Sequence, residues 1–217
     1  MKKITLFASL VFSTIFFLDA KAQKEPKAKA VLESMSQKYQ SMNGFTGNFD
    51  FIFQDQTGSS DRQSGEIAVK GEMYRLKLPD QEIFNNGKTV WTYIVTDTYK
   101  EVTINEVSQM EGELTPSNIY RMYESGFGYS LIGEKSFQGE TAQIVELIAE
   151  KPDAPFQKVN LMINKASKDL MGWEIFDGTG GVFSYTFRDI KSDSTLDEAY
   201  FSFNEKDYPG VEVIDLR

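Results

Sequence analysis

The residues that could do chemistry are limited in kind. The 217-residue chain carries 32 acidic and 23 basic side chains but no histidine and no cysteine. Without histidine there is no Ser-His-Asp site and no His-assisted nucleophile. Without either residue, zinc, haem and iron–sulfur centres lose their usual ligands. What survives is carboxylate chemistry, a Ser–Lys pair, or a Ca/Mg site built of oxygens. Asp177, Asp189, Asp193 and Asp197 are scattered over predicted turns, and Glu111 and Glu113 sit beside a mid-chain segment. A glycosidase needs two carboxylates about 5–10 Å apart across a cleft, and no spacing here fixes such a pair. The sequence holds no EF-hand loop. Solvated surface charge is the reading for these groups. A binding protein without catalytic residues, metal or cofactor is the expectation.

Apolar side chains are the other candidates. Along the predicted strands an unusually aromatic face alternates with a polar one. Phe49, Phe51, Tyr74, Leu76, Trp91, Tyr93, Leu161 and Phe183 are the candidates for lining a concave surface that holds acyl chains. A packed core has the same alternation, so periodicity alone does not choose. A second group, Ile119, Tyr120 and Tyr123 behind Pro116, interrupts the strand series. It reads either as a lid over the mouth of a half-barrel or as a connection that plugs it.

These residues must be positioned by a mainly β (α+β) fold. Residues 27–42 predict an amphipathic helix, with Val31, Leu32, Met35, Tyr39 and Met42 on one face and Pro26 in its first turn. From Phe45 the period becomes two, giving an aromatic face of Phe45, Phe49, Phe51 and Phe53. Strands are expected at 65–70, 73–78, 81–85, 89–95, 99–104, 129–132, 141–149, 157–164, 170–177, 182–189, 198–203 and 211–214. Asn86-Gly87 is a hairpin turn signal. Thr115-Pro116 predicts the start of a short helix, and 106–112 another helical turn. Short connections favour antiparallel neighbours. The predicted architecture is an incomplete (half) antiparallel β-barrel of about eleven strands, covered by the N-terminal helix and short lid helices.

Residues 1–22 read as a signal peptide, with Lys2 and Lys3, an apolar run, and Ala20-Lys21-Ala22 as a cleavage pattern. Residues 23–217 form a single domain. Removing the leader, with its three lysines and one aspartate, takes the formal charge from −9 to −11. Such a charge argues against nucleic acid and against anionic lipid headgroups as partners. The expected product is exported, soluble, monomeric and not lipid-anchored.

Several stretches carry a family resemblance. They are Gly44-Phe45-Thr46-Gly47-Asn48-Phe49 after the helix, and Gly65-Glu66-Ile67 ahead of Tyr74-Arg75-Leu76. Asn86-Gly87-Lys88-Thr89-Val90-Trp91-Thr92-Tyr93 is the most specific, and Leu114-Thr115-Pro116 and Tyr208-Pro209-Gly210-Val211-Glu212-Val213-Ile214-Asp215 follow. Together they resemble the periplasmic outer-membrane lipoprotein carrier family (LolA-type). The resemblance implies an incomplete barrel whose apolar cavity shields the acyl chains of lipoproteins. It implies a periplasmic location and cargo received from an inner-membrane lipoprotein-releasing ABC transporter. Delivery to the outer membrane goes, in many bacteria, through a receptor of similar fold. The family's lid-holding arginine has no counterpart in Val69-Lys70-Gly71-Glu72, which leaves Lys70 and Arg75 as the candidates for contacting the lid. Two other readings stay open: a periplasmic regulator sensing lipids or proteins with the same half-barrel, and a hydrolase working through carboxylates.

Overall fold

The computed structural model describes residues 24–110, 115–152, 154, 156–193 and 195–217. The expected leader, and Glu111, Gly112, Glu113 and Leu114, lie outside the described residues. Helix α1 spans Pro26–Gln40. The first six strands are β1 Phe45–Gln54, β2 Ser60–Lys70, β3 Met73–Lys77, β4 Gln81–Asn85, β5 Thr89–Val95 and β6 Lys100–Glu106. The next five are β7 Phe127–Phe137, β8 Glu140–Ala149, β9 Lys158–Asn164, β10 Leu170–Phe176 and β11 Val182–Ser192, and β12 is Glu212–Asp215.

All twelve strands form one sheet in the order β12-β6-β5-β4-β3-β2-β1-β11-β10-β9-β8-β7. Its two edges, β12 and β7, do not pair, so the barrel is unclosed. Each of these strands overlaps an expected one. Residues 198–203, expected as a further strand, instead make a 3-10 turn, Glu198–Phe201, capped by Asp197. The short helix expected after Thr115-Pro116 is a series of turns ending in the 3-10 helix Met122–Glu124. Here the Thr115 hydroxyl meets that of Ser117 rather than capping a helix. One pairing departs from the antiparallel expectation: β12 runs parallel to β6. The 3-10 turns between β11 and β12 carry the chain back across the sheet, which permits that direction.

Local chemistry explains the tight places. At the β4–β5 turn the Asn85 side chain accepts the Gly87 N–H at 2.7 Å, and Gly87 takes a φ of 85°. At Gly65 the absent side chain matters for packing. A Cβ there would sit 2.8 Å from the Phe49 ring and 2.5 Å from the Lys77 carbonyl oxygen. Glycine therefore lets Phe49 lie across β2.

The curled sheet has an inner and an outer core. The inner one gathers α1 (Leu32, Met35, Tyr39) with Phe45, Phe49, Val69, Tyr74, Val145, Leu161, Ile163, Trp173 and Phe187. Register shows why they share a face. Phe51 pairs with Tyr185, Tyr185 with Trp173, Trp173 with Leu161, and Leu161 with Val145. Directly opposed residues point the same way. The outer core is built by the segment between β11 and β12. Phe201 is fully buried, and Phe84 packs edge-on against Phe203 and Tyr208. Glu82, also buried, accepts the Tyr208 hydroxyl at 2.7 Å and Arg75 at 2.6 Å.

Candidate functional site

The inner face of the half-barrel narrows to an apolar chamber of about 60 Å³. Its walls are Phe49, Ile67, Leu76, Trp173, Ile175, Tyr185 and Phe187, from β1, β2, β3, β10 and β11, and Pro116 roofs it. These rings stack in sequence: Trp173 lies 4.9 Å from Tyr185 and 5.0 Å from Phe187, and Phe51 lies 5.0 Å from Tyr185. Phe51 continues to Phe183 at 6.2 Å, and Phe53 meets Phe183 at 4.7 Å. Phe51, Phe53 and Phe183 are only half-buried. The aromatic ladder thus runs from a closed end to a partly solvated mouth. Burial alone pushes the Tyr185 phenol above its ordinary range, with no charge or hydrogen bond contributing.

Residues 115–124 close this end. Ile119, Tyr120 and Tyr123 are buried. Tyr120 stacks on Tyr39 of α1 with centroids 5.6 Å apart and planes inclined by 16°. Tyr123 packs edge-on against Tyr129 at 6.1 Å. Outside, the Arg121 guanidinium pairs with Glu72 in the β2–β3 turn. Tyr39 is itself fixed, because its hydroxyl oxygen accepts the Leu170 N–H at 3.2 Å. Aromatic stacking, a hydrogen bond between Tyr123 and Ser36 of α1, and one half-exposed ion pair help hold the segment down.

The expected cavity residues divide between the two faces. Phe49, Phe51, Tyr74, Leu76, Leu161 and Phe183 lie on the inner face, as do Pro116, Ile119, Tyr120 and Tyr123. Trp91 and Tyr93 do not. Trp91 pairs with Phe84, which pairs with Arg75, and Tyr93 pairs with the buried Glu82. That row belongs to the outer core, where Tyr93 stacks on Phe203 and meets Tyr208. The inward residues of β5 are Val90, Thr92 and Ile94, as the partner Ile83 of Thr92 shows. Lys70 and Arg75 likewise point outward, away from the cap. Lys70 donates to the Leu196 carbonyl at 2.7 Å. Arg75 is held by Glu82 and sandwiched between the Phe84 and Tyr200 rings, 4.5 and 4.4 Å from their centroids. Polar contacts to the cap include two that sequence reasoning missed, Arg121 with Glu72 and the Tyr123 phenol with Ser36 of α1. The signal for the first was charge complementarity between the inserted segment and the β2–β3 turn.

Asp177, Asp193 and Asp197, among the carboxylates considered for catalysis, are occupied by their own turns. Asp177 accepts the Thr179 and Gly181 N–H groups, Asp193 that of Thr195, and Asp197 that of Ala199. Asp189 occupies a β-bulge with a φ of 54°. Larger hollows of about 250 and 300 Å³ lie on the outer face. Their walls include the charged Glu66, Lys77, Lys191 and Arg188, which suits water rather than an apolar ligand. No helix among the described residues is long and apolar enough to cross a membrane.

Residues 40–204 match the family model described as "Outer membrane lipoprotein carrier protein LolA". The chain belongs to the LolA family. An outer-membrane lipoprotein carrier protein of Legionella pneumophila (strain Lens) is 25% identical over 223 residues, covering 99% of each chain. Its counterpart in Azotobacter vinelandii is 26% identical over 216 residues, covering 96% of this chain and 98% of that one. Among solved structures, an uncharacterized conserved protein from Thermus thermophilus superposes with a TM-score of 0.57 at 13% identity. The match covers 87% of this chain and 99% of that one, and it shows likeness of fold alone.

Proposed function

We propose that this protein is a periplasmic lipoprotein carrier that binds acyl chains on the inner aromatic face and moves them from inner to outer membrane. Its cargo is acylated lipoproteins. The donor would be an inner-membrane lipoprotein-releasing ABC transporter and the acceptor an outer-membrane receptor. The observation that carries the reading is the chamber under Pro116, apolar and continuous with a half-solvated aromatic ladder. Membership of a family named for lipoprotein carriage supports it.

Magnitudes fit a carrier that must also let go. A cavity of about 150 Å³ is enough for benzene, so a chamber of about 60 Å³ holds only part of a chain. An acyl chain enters only if residues 115–124 move aside. Burying about 16 methylenes contributes roughly 13 kcal/mol. Uncovering Ile119, Tyr120 and Tyr123 costs roughly 5–9 kcal/mol at about 1.5–3 kcal/mol each. The difference leaves binding firm but reversible, and on this reading the segment is a lid.

Native mass spectrometry of protein isolated gently from its own periplasm tests the proposal. Adducts with the masses of acylated lipoproteins, lost in Phe49→Asp or Tyr120→Asp, are expected. An empty protein that also fails to bind a fluorescent fatty-acid probe would overturn it.

A further inference from the structure

Packing does not account for Trp173. Its indole Nε1 is buried without a hydrogen-bond partner, in a residue that is 5% exposed. An unpaired buried donor costs about 1–3 kcal/mol, and indole nitrogen can only donate. Phenylalanine would fill much of that space at no such cost. Tyr185 sits directly opposite Trp173 in the neighbouring strand, half-buried, and its hydroxyl is a second donor on the same face. Both side chains line the chamber roofed by Pro116, and the other lining side chains (Phe49, Ile67, Leu76, Ile175, Phe187) are apolar. The chamber therefore offers two hydrogen-bond donors in an apolar wall, the composition of a site that orients one polar group. A hydrocarbon satisfies neither donor. A carbonyl oxygen has two lone pairs and can satisfy both.

We propose that this chamber recognises the carbonyl of an acyl ester or amide, with Trp173 Nε1–H and Tyr185 O–H as the donors. The inference rests on the acyl-carrier reading and narrows its ligand from any hydrocarbon chain to an esterified or amidated one. It also sets a polarity of binding. The head of the chain lies under Pro116, and the methylenes run outward along Phe51, Phe53 and Phe183.

The chain has two tryptophans, so ¹⁵N-indole NMR of the whole protein gives two resonances, and Trp91→Phe assigns them. The probes are dipalmitoylglycerol and its dihexadecyl ether analogue, presented in detergent micelles. The diester should bind about tenfold more tightly than the diether, the value of one net hydrogen bond. It should move the Trp173 indole proton downfield, and the diether should not. Trp173→Phe should abolish the diester-over-diether preference, and Tyr185→Phe should reduce it. Equal affinities with the same indole position for both probes, as a bound water would give, overturn the assignment and leave the carrier reading standing. Failure of both probes to bind overturns the two together.

Discussion

Tyr120→Ala separates a movable lid from a permanent plug. Tyr120 is buried and stacks on Tyr39, whose hydroxyl is tied to the Leu170 N–H. Truncation removes the ring and its stacking contact but leaves α1 anchored. The loss is about 3 kcal/mol, the low end for a buried aromatic. If residues 115–124 open independently of the sheet, the whole loss falls on that local equilibrium. At about 1.4 kcal/mol per decade the open population rises about 100-fold. The assay is native-state hydrogen exchange of the Ile119, Arg121 and Glu124 amides, which bond to the carbonyls of Thr115, Asn118 and Arg121. These should exchange about 100-fold faster, while amides in the β1–β11 ladder keep their protection. Equal acceleration of the ladder amides, with a matching fall in global stability, would refute the reasoning, because the segment would then unfold only with the barrel.

The outer pair tests the same element by charge. Glu72→Lys should speed lid exchange less than about fivefold, since half-exposed pairs contribute under about 1 kcal/mol, and Glu72→Arg with Arg121→Glu should restore the rate. Asp50 accepts hydrogen bonds from Ser64, Arg62 and Arg188. The Ser64 bond chiefly, with the two arginines, holds its carboxyl below the usual range against the opposing effect of desolvation. That stability is complete above about pH 4 and is lost as pH falls through the depressed folded value. Asp50→Asn should therefore cost about 1–2 kcal/mol in urea unfolding at pH 7, discounted because both arginines are exposed, and the gap should narrow as pH falls below about 4. Phe201→Ala should cost about 3–5 kcal/mol without changing fatty-acid probe affinity, because the outer core does not touch the chamber.

The sequence pattern carried the sheet well where each strand had one apolar face. β1, with Phe45, Phe49, Phe51 and Phe53 at alternate positions, and β9, with Val159, Leu161 and Ile163, are such strands. It misled at β5. Trp91 and Tyr93 alternate with Val90, Thr92 and Ile94, so both faces of that strand are apolar. Period two says that neighbouring side chains part company, not which set turns inward. The deciding fact is tertiary: the segment holding Phe201, Phe203 and Tyr208 folds back over β4 and β5. Phe201 and Phe203 alternate as they would in a strand, so the local pattern marked 198–203 as one more strand of the sheet rather than as a cover. The parallel docking of β12 was hidden for the same reason. In the candidate site, the inner rings were legible from alternation, but the role of Trp173 was not, since an unpaired donor exists only relative to its surroundings.

That the two ends of the sheet do not meet has a mechanical consequence. A closed barrel fixes its girth, because strand number and stagger together set the diameter. Here β12 and β7 are free of each other, so the sheet can bend like a leaf spring. A few degrees of extra twist at each strand junction, within the ordinary spread of sheet geometry, widens the bore without breaking a ladder hydrogen bond. On the proposed carrier reading, residues 115–124 would govern access and the curvature of the sheet capacity, so that one protein of this build could fit cargoes of unequal thickness.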